Sequence, residues 1–203
     1  MEDLILSLDA GSVRSYFGFG ETWSDLSGNR NNATLENGPI YDGQNKGSFS
    51  FDGQNDYALV PISIDANPIT ISVWFNCASP YGKFGLIGNV NKGFGLDGQT
   101  IYVNIGNSFE NAKSYISTNS WHSVTLVYSD TSTKLYLDGN LSWTGEASSI
   151  VSNSEEVDIG KFNYVGEDRF FRGNIAKVEI YSKDLTASEI QQNFNALRGR
   201  FGI

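Results

Sequence analysis

The chain has 203 residues, with 14 Lys and Arg against 23 Asp and Glu and a formal charge of −9 at pH 7. An acidic chain without a basic run is excluded as a nucleic-acid binder, because neutralising phosphates takes clustered Lys and Arg. Hydrophobic residues at 39%, aromatics at 13%, 22 Gly and a single Met describe a strand-and-turn protein and exclude disorder and collagen.

The length predicts one domain over residues 1–203 that buries roughly 70% of its unfolded surface. A lone cysteine, Cys77, leaves no disulfide framework and no cysteine-based zinc site. No stretch approaches the roughly eighteen apolar residues of a membrane span, so no membrane insertion is expected. Met1-Glu2-Asp3 lacks the basic and apolar regions of a signal peptide, and the chain is expected to stay out of the general export route.

In chain order, alternating apolar and polar residues predict strands over 4–8, 48–51, 56–60, 69–77, 84–88, 101–105, 122–128, 134–137, 141–143, 157–159 and 170–181. In 69–77, Ile69, Ile71, Val73, Phe75 and Cys77 share the core face, and Thr70, Ser72, Trp74 and Asn76 share the other. Asp138-Gly139 between two such runs predicts a hairpin with a two-residue primed turn. Thr186-Ala187-Ser188-Glu189 is a capping box, and Ile190, Phe194 and Leu197 recur at helical spacing, predicting one terminal amphipathic helix over 185–198 that Gly199 stops. The helix is expected to cover the outer face of a sheet in its own chain. Evenly spaced short strands predict an all-β, antiparallel two-sheet jelly-roll sandwich.

Four ordered segments carry a family resemblance: Asp25-Leu26-Ser27-Gly28-Asn29; Phe51-Asp52-Gly53 with Asp56-Tyr57; Trp121-His122-Ser123-Val124 leading to Leu135-Tyr136-Leu137-Asp138-Gly139; and Phe171-Arg172-Gly173-Asn174-Ile175 with Val178-Glu179-Ile180-Tyr181. Together they resemble the laminin G-like, concanavalin A-like lectin jelly-roll domains, over almost the whole chain. The resemblance implies two antiparallel sheets packed face to face, used for binding glycans or proteins. Residues 188–203 resemble the tail of such domains in virion proteins of tailed bacteriophages. That likeness implies a non-enzymatic accessory protein on the exterior of a phage particle, as a head decoration or tail-associated protein. It would be assembled in the host cytoplasm, be released by lysis, and contact capsid or tail subunits in many symmetric copies. The alternative is a carbohydrate-binding module or adhesin that recognises host-surface glycans.

Candidate site residues follow from side-chain chemistry. An aromatic ring stacked on a sugar, with amides and carboxylates fixing hydroxyls, points to Tyr81, Phe84 and Trp143, and to Asn163 and Tyr164 with Asp168 and Arg169. Trp74 and Trp121 are expected to be structural. Asp25, Ser27 and Asn29 pack oxygens into a loop that a structural calcium would accept, with Asx-turn hydrogen bonding as the alternative; no cofactor is otherwise required. Glu156 and Asp158 begin a glycosidase-like strand of alternate carboxylates, but position 160 is Gly and 161 is Lys, so no catalysis is expected there. A Cys77–His122 pair is outweighed by the apolar face on which Cys77 falls, and a single His excludes a multi-His metal site. Arg200, Phe201 and Ile203, in the tail 199–203, are expected to dock on a neighbouring subunit, the alternative being that they fold back on their own domain.

Overall fold

The computed structural model describes residues 3–44, 46–65, 67–106, 108–147, 154–164 and 166–203. Among them the first strands are β1 (Leu4–Asp9), β2 (Thr22–Trp23), β3 (Ala33–Glu36), β4 (Ile40–Asp42), β5 (Ser48–Asp52) and β6 (Tyr57–Val60). The middle of the chain gives β7 (Ile69–Cys77), β8 (Lys83–Gly88), β9 (Lys92–Asp97), β10 (Thr100–Ile105), β11 (Ser108–Tyr115) and β12 (Trp121–Tyr128). The last strands are β13 (Thr133–Leu137), β14 (Asn140–Gly145), β15 (Val157–Ile159), β16 (Lys161–Tyr164), β17 (Glu167–Phe170) and β18 (Arg172–Tyr181), followed by the helix α1 (Ala187–Phe201).

They form two eight-stranded antiparallel sheets and one separate hairpin, β16–β17. Sheet A runs β14-β13-β12-β7-β18-β5-β4, with β1 also on β18; sheet B runs β11-β10-β9-β8-β15-β6-β3-β2. Along one edge β18 pairs with β7 throughout. Its other edge is shared, residues 172–175 bonding to β5 and residues 177–181 to β1. The sheets bury their facing sides against each other, as the all-β sandwich expectation requires. Ile71, Val73, Phe75 and Cys77 of β7, Val124 and Leu126 of β12, and Val178 and Ile180 of β18 meet Leu86, Phe94, Leu96, Ile101 and Val103 of sheet B. Cys77 lies in this core as its strand face predicts, and burial pushes its thiol pKa up. The hairpin at 138–139 has the expected primed form, with Asp138 at φ 49° and Gly139 at φ 77°.

Some elements differ from expectation. The run 170–181 is broken at Phe171, whose ring enters the core while its N–H bonds to Gly160 O at 2.8 Å; β17 ends before it and β18 begins after it. Strand β9 is hidden in the sequence because Gly93 and Gly95 interrupt its alternation, yet their lack of a Cβ is what lets β8 and β9 pair. A side chain at Gly95 would meet Phe84 O at 2.2 Å, and one at Gly93 would meet Ile87 O at 2.3 Å.

The helix starts where the capping box places it, Thr186 Oγ1 accepting from Glu189 N–H and Glu189 Oε2 accepting from Thr186 N–H at 2.8 Å. Lys183 at 2.6 Å, together with Thr186, holds the Glu189 carboxyl down to about 2. The stop is at Gly202, φ 77°, and not at Gly199. Continuing through Gly199 costs about 1 kcal/mol of helix propensity, and what offsets it is Phe201. Its ring stacks on Trp74 with centroids 4.3 Å apart and lies 4.8 Å from Trp121. Arg200 binds Asp9 Oδ1 at 2.8 Å and the carbonyls of Lys46 and Gly47, and Ile203 packs on the same cluster as Phe201. The tail therefore lies on its own domain, correcting the expectation that Arg200, Phe201 and Ile203 reach a neighbour. The indoles of Trp74 and Trp121 offer an apolar surface within the chain's own reach.

Among the described residues one cation is fully buried. Lys92, at the start of β9, donates to Asp65 O and Asn67 Oδ1, each at 2.8 Å, and lies 5.4 Å from the Tyr128 ring. Asp65 in turn accepts from Asn89 Nδ2 at 3.0 Å, so the cluster ties the connection after β6 to sheet B. Burial lowers the Lys92 ammonium to about 8, against the opposing pull of Asp65 and Asp130.

Two stability predictions follow from these contacts. Replacing Phe201 with Ala is expected to cost about 3 kcal/mol in urea unfolding; an unchanged midpoint would show that the ring is not packed. For Lys92, a folded value near 8 lies below the ordinary 10.5, so between those pH values the unfolded chain binds the extra proton. The stability contribution of Lys92 therefore rises as pH rises through that window, and below it the buried charge costs most. Relative to Lys92→Met, the wild type should gain roughly 2–3 kcal/mol between pH 7 and 10, and a difference that stays flat with pH would refute a charged, buried Lys92.

Candidate functional site

The outer faces of the two sheets are used differently. On sheet A, α1 covers Trp74, Trp121 and Ala176 with Phe194 and Phe201, and covers Val127, Tyr136 and Tyr181 with Ile190. On sheet B, Ile101 and Val103 of β10 point into the core, so Tyr102 between them points outward. Over that outer side lies the hairpin β16–β17. It sits directly on β8 because Gly85 has no side chain; a Cβ there would come within 2.2 Å of Phe162 N.

The hairpin and the strands beneath it form a cleft of about 60 Å³ that opens to solvent. Gly95 and the neighbouring backbone of β9 line it with Phe84, and Tyr102, Phe109 and Phe162 supply further rings. Phe109 and Phe162 meet edge to face at 5.3 Å. The polar groups in it are Lys83 and Asp97, 3.8 Å apart, and Arg169, whose Nη2 pairs with Glu167. The whole is a mostly apolar pocket with a few charged groups, the usual make-up of a small-molecule site.

The sequence candidates for sugar contact divide around this cleft. Phe84 lines it. Tyr81, 81% exposed, stands on the loop that leads into Lys83. Asn163 and Asp168 face each other across the hairpin, Nδ2 to Oδ1 at 2.8 Å. The side chain of Tyr164 lies outside the described residues. Trp143 is elsewhere, on β14 of sheet A, packed against the main core. Tyr102, Phe109 and Phe162 escaped the sequence reading, since rings inside strands look like core. The available signal was the repeated Phe-Gly-Leu at 84–86 and 94–96, which sets glycines side by side on paired strands.

The Asp25 loop is closed on itself. Asp25 Oδ1 accepts from the N–H of Ser7 at 2.9 Å and of Ser27 at 2.8 Å, and Oδ2 accepts from Asn31 N–H at 3.0 Å and Ser27 Oγ at 2.6 Å. Asn29 Nδ2 donates to Leu4 O at 2.8 Å. Donors converge on the carboxylate, so the arrangement does not fit a calcium ion, which needs acceptors turned inward; the Asx-turn alternative describes it.

The other catalytic candidates are equally engaged. His122 Nδ1 bonds Asp138 Oδ2 at 2.9 Å, joining the two ends of one resemblance segment, and Nε2 receives Ser117 N–H at 3.2 Å with Ser117 Oγ at 3.0 Å. The lone pair a general base would use is thus already taken by a backbone donor. Cys77 Sγ donates to Ser79 O at 3.2 Å. Asp158 is bridged to Lys161 at 3.2 Å, and burial raises its pKa despite that cation; Lys161 also lies 4.4 Å over the Tyr57 ring, and Glu156 is exposed.

Residues 51–191 match the laminin G-type family described as the concanavalin A-like lectin/glucanases superfamily. Comparison with curated proteins found no match. Among solved structures, the fold is similar to the binding domain of botulinum neurotoxin DC in complex with rat synaptotagmin II, with a TM-score of 0.75 and 17% identity over 97% of this chain and 52% of that one. The same toxin's binding domain in complex with SialylT gives 0.73 and 18%, over 97% and 51%. The binding domain of Paraclostridial Mosquitocidal Protein 1 gives 0.71 and 17%, over 96% and 52%. The chain spans about half the length of these neighbours, and at such identity the likeness is one of fold.

For the Asp25 loop, replacement of Asp25 by Ala should cost about 2 kcal/mol by stranding several donors. Millimolar calcium or a chelator should leave the wild-type melting temperature unchanged, whereas a rise of several degrees with calcium would reveal a bound ion.

Proposed function

Because the chain belongs to the concanavalin A-like lectin/glucanases superfamily, we propose that it is a non-enzymatic binding domain that holds a glycan in the cleft between sheet B and the hairpin β16–β17. The observation that carries this is the pair of partly exposed rings, Tyr102 and Phe109, that line the cleft beside Gly95 and the buried Phe162. The accessible side of such rings matches the C–H face of a pyranose. Lys83 and Asp97 at the cleft supply a donor and an acceptor for sugar hydroxyls. Structural neighbours with the same fold are receptor-binding domains, one of them described as dependent on two ganglioside molecules for cell entry. The chain covers about half of such a neighbour, so this supports the class of function and not a particular ligand.

The catalytic half of the superfamily name is not adopted, since Asp158 is bridged to Lys161 and position 160 is Gly. A role on the exterior of a phage particle rests on the resemblance of residues 188–203. The tail that would have docked there lies on its own sheet, so a virion partner would have to use another surface. Copies on a particle and a glycan-filled cleft are compatible, and the cleft is the more specific of the two.

On a glycan array the protein should retain a defined subset of sugars saturably. Tyr102→Ala should weaken that binding by about tenfold or more, the loss of one stacked ring, with its melting temperature little changed. Absence of retained glycans, or full affinity in the Tyr102 variant, would remove the proposal.

A further inference from the structure

We infer that the cleft selects a sugar bearing a carboxylate, held by Arg169; this rests on the glycan-binding reading above and names its ligand class. Arg169 stands on β17 directly across from Phe162, and both line the cleft. Among the described residues its guanidinium engages one partner, Glu167 at Nη2, and its Nε is buried without any. A guanidinium pays heavily for N–H groups that lose water and gain no acceptor, and its fork matches a carboxylate better than a hydroxyl. Nε itself is closed to solvent, and the part of the fork that an anionic acceptor in the cleft can reach is the Nη edge, the side chain being 33% exposed.

Two further observations shape the ligand. The rings around Arg169 make the cleft mostly apolar, which suits a ligand with an apolar face better than a small inorganic anion. Lys83 adds a second cation at the cleft, 3.8 Å from Asp97. Meanwhile the formal charge of −9 repels anions at a distance, so selection has to arise at contact, from Arg169 itself.

The test is calorimetric titration of the purified chain with 3′-sialyllactose, a glucuronic-acid-terminated disaccharide, the methyl ester of each, and lactose. At least one acid should bind tenfold or more tighter than its own ester and than lactose. Arg169→Gln should bring acid and ester within twofold of each other, and Arg169→Lys should restore part of the gap. Should Arg169→Gln fail to fold, Glu167→Gln remains: freeing Nη2 of its competitor should strengthen binding of the acid and leave that of the ester alone. Equal binding of acids and esters, or a preference that survives Arg169→Gln, overturns the inference. Saturable binding of neutral sugars alone overturns it while the glycan-binding reading stands; no binding by any sugar, on this panel and on the array, overturns both.

Discussion

Sheet A carries an apolar patch on its outer face as well as an apolar inner face, and much else follows from that constraint. Strand β7 sends Ile71, Val73, Phe75 and Cys77 into the sandwich and Trp74 out the other side. A strand buried on one face would need no helix; one that exposes an indole in mid-sheet needs a cover. The helix α1 supplies it through Phe194 and Phe201, both stacked on Trp74 with interplanar angles of 4° and 17°. Covering that face removes it as a binding surface. Sheet B differs, its outer side carrying rings, charges and a bridging hairpin in place of a helix.

The cleft on sheet B is made by what is missing as much as by what is present. Glycines at 85 and 95, paired across β8 and β9, strip the outer surface of side chains along a short trough. One of them lets Phe162 and its hairpin descend onto β8, and the other leaves backbone as a floor. Larger residues at both positions would fill the trough and lift the hairpin. The same absence of side chains weakens the strands intrinsically, so the site is obtained at some expense in local stability.

Much of this architecture was legible from residues alone, where one physical rule dominates. Strict alternation placed the faces of β7, two positive-φ residues at 138–139 made the hairpin, and the capping box set the start of α1. The rule failed where two rules compete. Glycines erased the alternation of β9, Phe171 interrupted an apparently continuous strand to fill the core, and Gly199 looked like a helix stop because the pull of Trp74 on Phe201 acts across the fold. The cleft was half visible for the same reason. Phe84 and the 163–168 hairpin could be suspected from local composition, but Tyr102 and Phe109 are seen to line the cleft only once pairing decides which side of sheet B is outside. Trp143, plausible on a turn-flanked strand, turned out to pack on the core.

The order of strands in sheet A carries a kinetic consequence. Its interior strand β18 is hydrogen-bonded to β1, β5 and β7, all of them made far earlier in synthesis. Until residues 172–181 leave the ribosome, β7 and β5 present unpaired edges, and the indole of Trp74 waits longer still for the helix. Non-local pairing of this kind is slow to close, and open edges of apolar strands are where partly made chains stick to one another. Yield on expression should therefore depend on how well the nascent chain is shielded, with added chaperones helping more than any change at the surface of the finished fold.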